Sequence, residues 1–142
     1  MPTTIQPADF SVSIAETITI NGTNFNSTTQ YTVEGITNYV NNIFNVDAGN
    51  QAILTFNTTQ RDADYIVSDV EYFRLTNSDD TAILAVTFTY SKGAKQTQFV
   101  SPQASLIATK DAFVITGDTL VLIEVDTSAG AVDVPYVIAL KQ

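Results

Sequence analysis

From Phe10 the chain alternates strictly. Phe10, Val12, Ile14, Ile18 and Ile20 are apolar, and Ser or Thr residues stand between most of them. A period of two gathers the apolar side chains on one face of a strand. The interruption at Ala15-Glu16 predicts a bend or bulge there. Asn21-Gly22 ends the strand, and residues 23–30 read as a polar loop with Phe25 as its anchor. The stretch from Tyr31 to Val46 fits two periods. Ile36, Tyr39, Val40, Ile43 and Phe44 suit a helix, while Ile36, Val40, Phe44 and Val46 suit a strand. Gly35, Asn38, Asn41, Asn42 and Asn45 are poor helix formers, so the segment reads as strand.

Asp47-Ala48-Gly49-Asn50 makes a turn, and Ala52–Phe56 a short strand. Further strands are predicted at 65–76, 81–90, 95–100, 105–109, 112–116, 119–125 and 134–140. Between them lie Asn77–Asp80, Ser91-Lys92-Gly93, Ser101-Pro102, Thr116-Gly117-Asp118 and Ser128-Ala129-Gly130. Short strands at this spacing predict an all-β chain with little or no helix, an antiparallel β-sandwich or jelly-roll-like barrel. Leu120-Val121-Leu122-Ile123 is apolar on both faces, which places it centrally in a sheet or in an interface. Residues 1–8, with Pro2 and Pro7, read as an extended arm, and 9–142 as a single domain.

Composition fits this reading. At 142 residues the chain can bury a core of ordinary size without disulfide or metal. Charged residues make up only 15% of it, and Thr, Asn and Ser take their place. Thr suits a pleated surface; Asn and Ser suit turns. A net charge of -9 disfavours a phosphate backbone as partner. No apolar run approaches the length that spans a membrane as a helix. The start of the chain shows no basic segment followed by an apolar one, so synthesis and folding in a host cytoplasm are expected.

The chain has neither His nor Cys. A Ser or Thr nucleophile would lack its usual base, and the lysines at 92, 95, 110 and 141 stand in turn-like or terminal positions. The carboxylate pairs Asp62/Asp64 and Asp79/Asp80 fall in predicted turns, where Asp caps backbone, and there is no Trp to stack a sugar. Asn77, Asp79 and Asp80 offer hard oxygen ligands, yet without the ordered spacing of a calcium loop. No catalytic, metal or cofactor residue is assigned, and the expectation is a non-enzymatic protein. Arg74 alternates with apolar residues in Tyr72-Phe73-Arg74-Leu75 and is expected to point away from the core, toward a neighbouring subunit or an adjacent strand.

The run Val70–Thr81 (VEYFRLTNSDDT) leads into Ala82–Val86, and later come Phe99-Val100-Ser101-Pro102 and Ser105–Ile107. A strand ending in Leu-Thr-Asn, a short acidic turn, a partner strand and a proline corner resembles small virion proteins of tailed bacteriophages. The resemblance covers roughly residues 65–140. Gln103-Ala104 follow the corner proline where many such proteins have Gly. It implies a β-sandwich subunit without enzymatic activity, located in the virion. A capsid decoration or cement protein is expected first. A tail, neck or fibre component is the alternative, with a carbohydrate- or calcium-dependent binding module behind it. The expected partners are further copies of the chain, as dimer or trimer, and a major capsid or other virion protein. Interface candidates by position are Ile5 in the arm, Arg74, Asn77, Asp79, Asp80, and Tyr136 and Lys141 in the 134–142 tail.

Overall fold

A computed structural model describes residues 6–47, 49–59, 63–115 and 117–142. It is 69% strand and 5% helical, so the chain is all-β as expected, and no barrel closes. The chain divides into two compact units, Met1–Thr37 and Asn38–Gln142.

The first unit is a long hairpin of β1 (Ala8–Ile20) and β2 (Thr23–Ile36), paired antiparallel. Asn21 and Gly22 take φ of 51° and 78°. Left-handed backbone at both central residues of a two-residue loop matches the right-handed twist of the flanking strands, and Asn-Gly adopts it readily. The turn sets the register: Ile18 lies opposite Phe25, Glu16 opposite Ser27, Ile14 opposite Thr29, Val12 opposite Tyr31 and Phe10 opposite Val33. Two expectations are corrected here. The irregularity falls between Ala8 and Phe10, and pairing runs unbroken through Ala15 and Glu16. Residues 23–30 are strand, not loop. Asn24, Asn26, Thr28 and Gln30 line the polar face, where Ser11 and Thr32 hydroxyls meet at 3.0 Å, Gln30 Nε2 donates to Ser11 Oγ and Thr19 Oγ1 donates to Asn24 Oδ1.

The second unit begins with β3 (Asn38–Val46), β4 (Gln51–Asn57), β5 (Tyr65–Ile66) and β6 (Val70–Thr76). It continues through β7 (Leu84–Tyr90), β8 (Lys95–Val100) and β9 (Ser105–Thr109) to the one-turn helix α1 (Lys110–Phe113). Then come β10 (Val114–Ile115), β11 (Asp118–Thr127) and β12 (Val132–Leu140). One sheet runs β5-β4-β11-β7-β8, with β10 beside β11; the other runs β3-β12-β6-β9. Their inner faces make the core of a sandwich. Tyr31–Val46 is strand as read, interrupted at Thr37, and β11 is central between β4 and β7. The expected strand 65–76 is two strands around a 3-10 turn at Val67–Asp69, which buries Val67. The expected strand 112–116 is instead α1 followed by β10; Thr116 lies outside the described residues.

That helical turn has a packing cause. It carries Phe113 into the core, where the ring is fully buried. There it meets Phe56 of β4 edge-on at 5.4 Å and Phe73 of β6 at 6.2 Å, one aromatic from each sheet. The same core holds Leu54, Val86, Leu120, Ile123, Leu75 and Ile138, all nearly or fully buried. Removing the ring leaves a cavity between the sheets. Phe113→Ala is expected to cost about 3–5 kcal/mol, read as a lower denaturant midpoint with unchanged slope.

Candidate interaction surface

The segment after β6 is an end loop held by its own side chains. Asn77 is completely buried. Its Nδ2 donates to Ala82 O at 2.8 Å and Val100 O at 3.1 Å, and its Oδ1 accepts from Asp79 N. Its backbone N–H donates to Ala104 O. Asp79 Oδ1 accepts three bonds, from Thr81 N, Thr81 Oγ1 and Ala82 N, at 2.6–3.0 Å. This cap explains why β7 starts at Leu84 rather than at residue 81. Gln103, at φ 64°, sits where a glycine would be the easier choice. Its Nε2 donates to the carbonyls of Ser78 and Asp79, so the side chain contributes what glycine could not. Ser78 Oγ donates to Asp133 O, joining the loop to β12.

These bonds hold the Asp79 carboxyl below its ordinary range, the Ala82 and Thr81 amides most strongly. Asp118 is lowered likewise, first by the Ser91 hydroxyl and then by the Thr119 and Lys92 amides. A carboxylate with a depressed folded pKa stabilises the fold above its unfolded value and loses that contribution as pH falls through the folded one.

The outer face of the β3-β12-β6-β9 sheet is a grid of side chains fixed by register. One row is Tyr39, Ala139, Tyr72 and Thr109; the next is Asn41, Val137, Arg74 and Ile107. A third holds Ile43 and Pro135, with Thr76 bonded to Ser105 across the strands. Tyr72, Val137 and Ala139 are buried, whereas Tyr39, Ile43 and Ile107 are exposed, Ile43 by 61%. Burial pushes the Tyr72 hydroxyl up, and the Arg74 guanidinium beside it opposes that rise. Arg74 is the charged side chain of these rows; in the row beyond, Asp133 accepts a bond from Asn45.

A second apolar area lies on the other sheet. Phe99 is 75% exposed on β8, the last strand of its sheet, opposite Ala85. With Ile83, Asp126, Thr127 and Ser128 they line a shallow depression of about 300 Å³.

The candidate residues do not meet in one patch. Arg74 points outward as expected and is half-buried. Asp79 and Asp80 are at the surface of the loop that follows β6. Lys141 is exposed at the opposite end of that strand, its N–H on Asp69 O. Asn77 and Tyr136 are buried and act within the fold, Tyr136 on the inner face of β12. Ile5 and most of the arm lie outside the described residues, as does Asp62. Asp64 Oδ2 accepts from Thr55 N and Oγ1. Sequence reading passed over Ile43, Ile107 and Phe99, because exposed and core positions share the same two-residue period. No protein-family model matches the chain, and no curated protein is similar enough to count as a relative.

Two outcomes follow for the end loop. Asn77→Ala leaves the Ala82 and Val100 carbonyls without their partner and should cost about 1–3 kcal/mol, measured by chemical denaturation. Thermal midpoints should fall as pH drops below about 4, and fall less steeply in Asp79→Asn.

Proposed function

We propose that the chain is a non-enzymatic structural subunit of a virus particle, in the first place a capsid decoration or cement protein of a tailed phage. It would bind other copies of itself and a shell protein. The observation that supports this most is the outer sheet face around Arg74. Tyr39, Ile43 and Ile107 stand exposed there on a four-stranded sheet whose three rows carry Arg74 as their charged side chain, with Asp133 in the row beyond. Tyr and Arg among aliphatic side chains, with other charge depleted, is the composition of an interface centre. The loop chemistry supports the same reading, since Asn77 and Asp79 direct their bonds to the chain's own backbone. The net charge of -9 suits a protein that must stay soluble in many copies before assembly.

The test is quantitative mass spectrometry of purified particles of the virus that encodes the chain. A decoration protein should be present at a copy number comparable to the major shell protein. A few copies per particle would move the assignment to tail, neck or fibre. Presence in the infected lysate but absence from particles would sink the proposal.

A further inference from the structure

The depression beside Phe99 is built by one row of side chains. Asp126 of β11, Ala85 of β7 and Phe99 of β8 lie side by side on the outer face of their sheet. Neighbouring strands stand about 4.8 Å apart, so β11 and β8 are separated by roughly 10 Å, with the Ala85 methyl between them. A small side chain between two large ones leaves a notch. Ile83 and Ser128 close its end: Ser128 N–H donates to Ile83 O, and Ile83 N–H donates to Ser128 Oγ. The notch therefore has an apolar floor, an exposed aromatic wall and a carboxylate wall.

We infer that this notch receives an arginine side chain of a basic partner protein. Asp126 is half-buried, and its Oδ1 accepts one backbone bond, from Thr127 N–H. A purely apolar occupant would strip water from that carboxylate and put nothing in its place; a cation replaces it. Glu124, on the same face of β11 and opposite Thr87, adds a second negative charge in the adjacent row. Among the described residues neither carboxylate pairs with a Lys or Arg. Lys95 of β8 stands opposite Thr89, roughly 13 Å along the strand from Phe99. The Phe99 ring decides between the two kinds of cation. A planar guanidinium lies flat on an aromatic face while its edge bonds a carboxylate twice, whereas an ammonium is a point charge.

Charge also separates a foreign partner from another copy. The chain carries -9, so copies repel one another while a basic protein is drawn in. Its own Arg74 is half-buried in the opposite sheet beside the Tyr72 hydroxyl, with too little of its length free to fill a notch. Arg61 lies outside the described residues. This face is not the one around Arg74, and the inference holds whether or not the chain belongs to a particle.

Nα-acetyl-arginine methylamide is the probe, titrated into the isotopically labelled full chain and followed by amide NMR. Shifts should converge on Ala85, Phe99, Asp126 and Ser128 and saturate in the millimolar range, as suits a single side chain. The lysine analogue should bind several-fold more weakly, and the norleucine analogue should leave these amides unmoved. Phe99→Ala, at an exposed position, should weaken arginine binding about two- to fivefold. Asp126→Asn, which keeps the acceptor for Thr127 N–H, should abolish the preference for arginine over norleucine. Absent shifts, shifts spread evenly over the acidic surface, or binding indifferent to Asp126→Asn overturn the inference. Light scattering tests the choice of partner. A monomer at the NMR concentration supports it, and a dimer that Phe99→Ala dissolves would place a second copy in the notch and overturn it.

Discussion

An amphipathic sheet has one face that must leave water, and the two units of this chain meet that demand differently. In Asn38–Gln142 two sheets bury each other's apolar faces, and their core is dense enough to enclose Phe113 fully. Among the described residues of Met1–Thr37 there is one sheet of two strands and no second layer within the unit. Its backbone hydrogen bonds are made and its register is set by a favourable turn, but its apolar face toward the turn stays wet. Water against Ile18, Ile20 and Phe25 costs free energy in proportion to area, and an added layer removes that cost.

The sandwich adds a second kind of unfinished surface. The rows around Arg74 combine buried Tyr72, Val137 and Ala139 with exposed Tyr39, Ile43 and Ile107. On both sides of β12 these apolar side chains stand among polar ones, Asn41 and Asn45 on β3, Arg74 and Thr76 on β6, and Ser105 and Thr109 on β9. The end loop, by contrast, is complete in itself. Asn77, Asp79 and Gln103 bond backbone groups of Ser78, Asp79, Thr81, Ala82 and Val100, and Ser78 bonds Asp133, which ties this corner together between β6, β8 and β12.

Much of this was legible in the sequence because a strand writes its period plainly. The strands at 95–100 and 105–109 were placed to the residue, and the doubly apolar run at Leu120–Ile123 marked the central strand. The failures have physical causes. Residues 23–30 lack an apolar run, so the strand there shows only once Asn21-Gly22 is taken as a turn that imposes register on whatever follows. Phe113 reaches the core through a helical turn that no period announces, because contacts from two distant strands select it. Exposed apolar positions are less legible still. Burial across a neighbour and burial in a core use the same side chains, and only the fold separates Tyr136, which points inward, from Tyr39, which points out.

Amide hydrogen exchange, followed residue by residue, tests most directly the claim that the two units meet this demand differently. Amides of β11 and β12 should open only with global unfolding, whereas those of β1 and β2 from Ile14 to Thr29 should open at far lower cost. Hairpin protection equal to that of β11 and β12 would contradict the account.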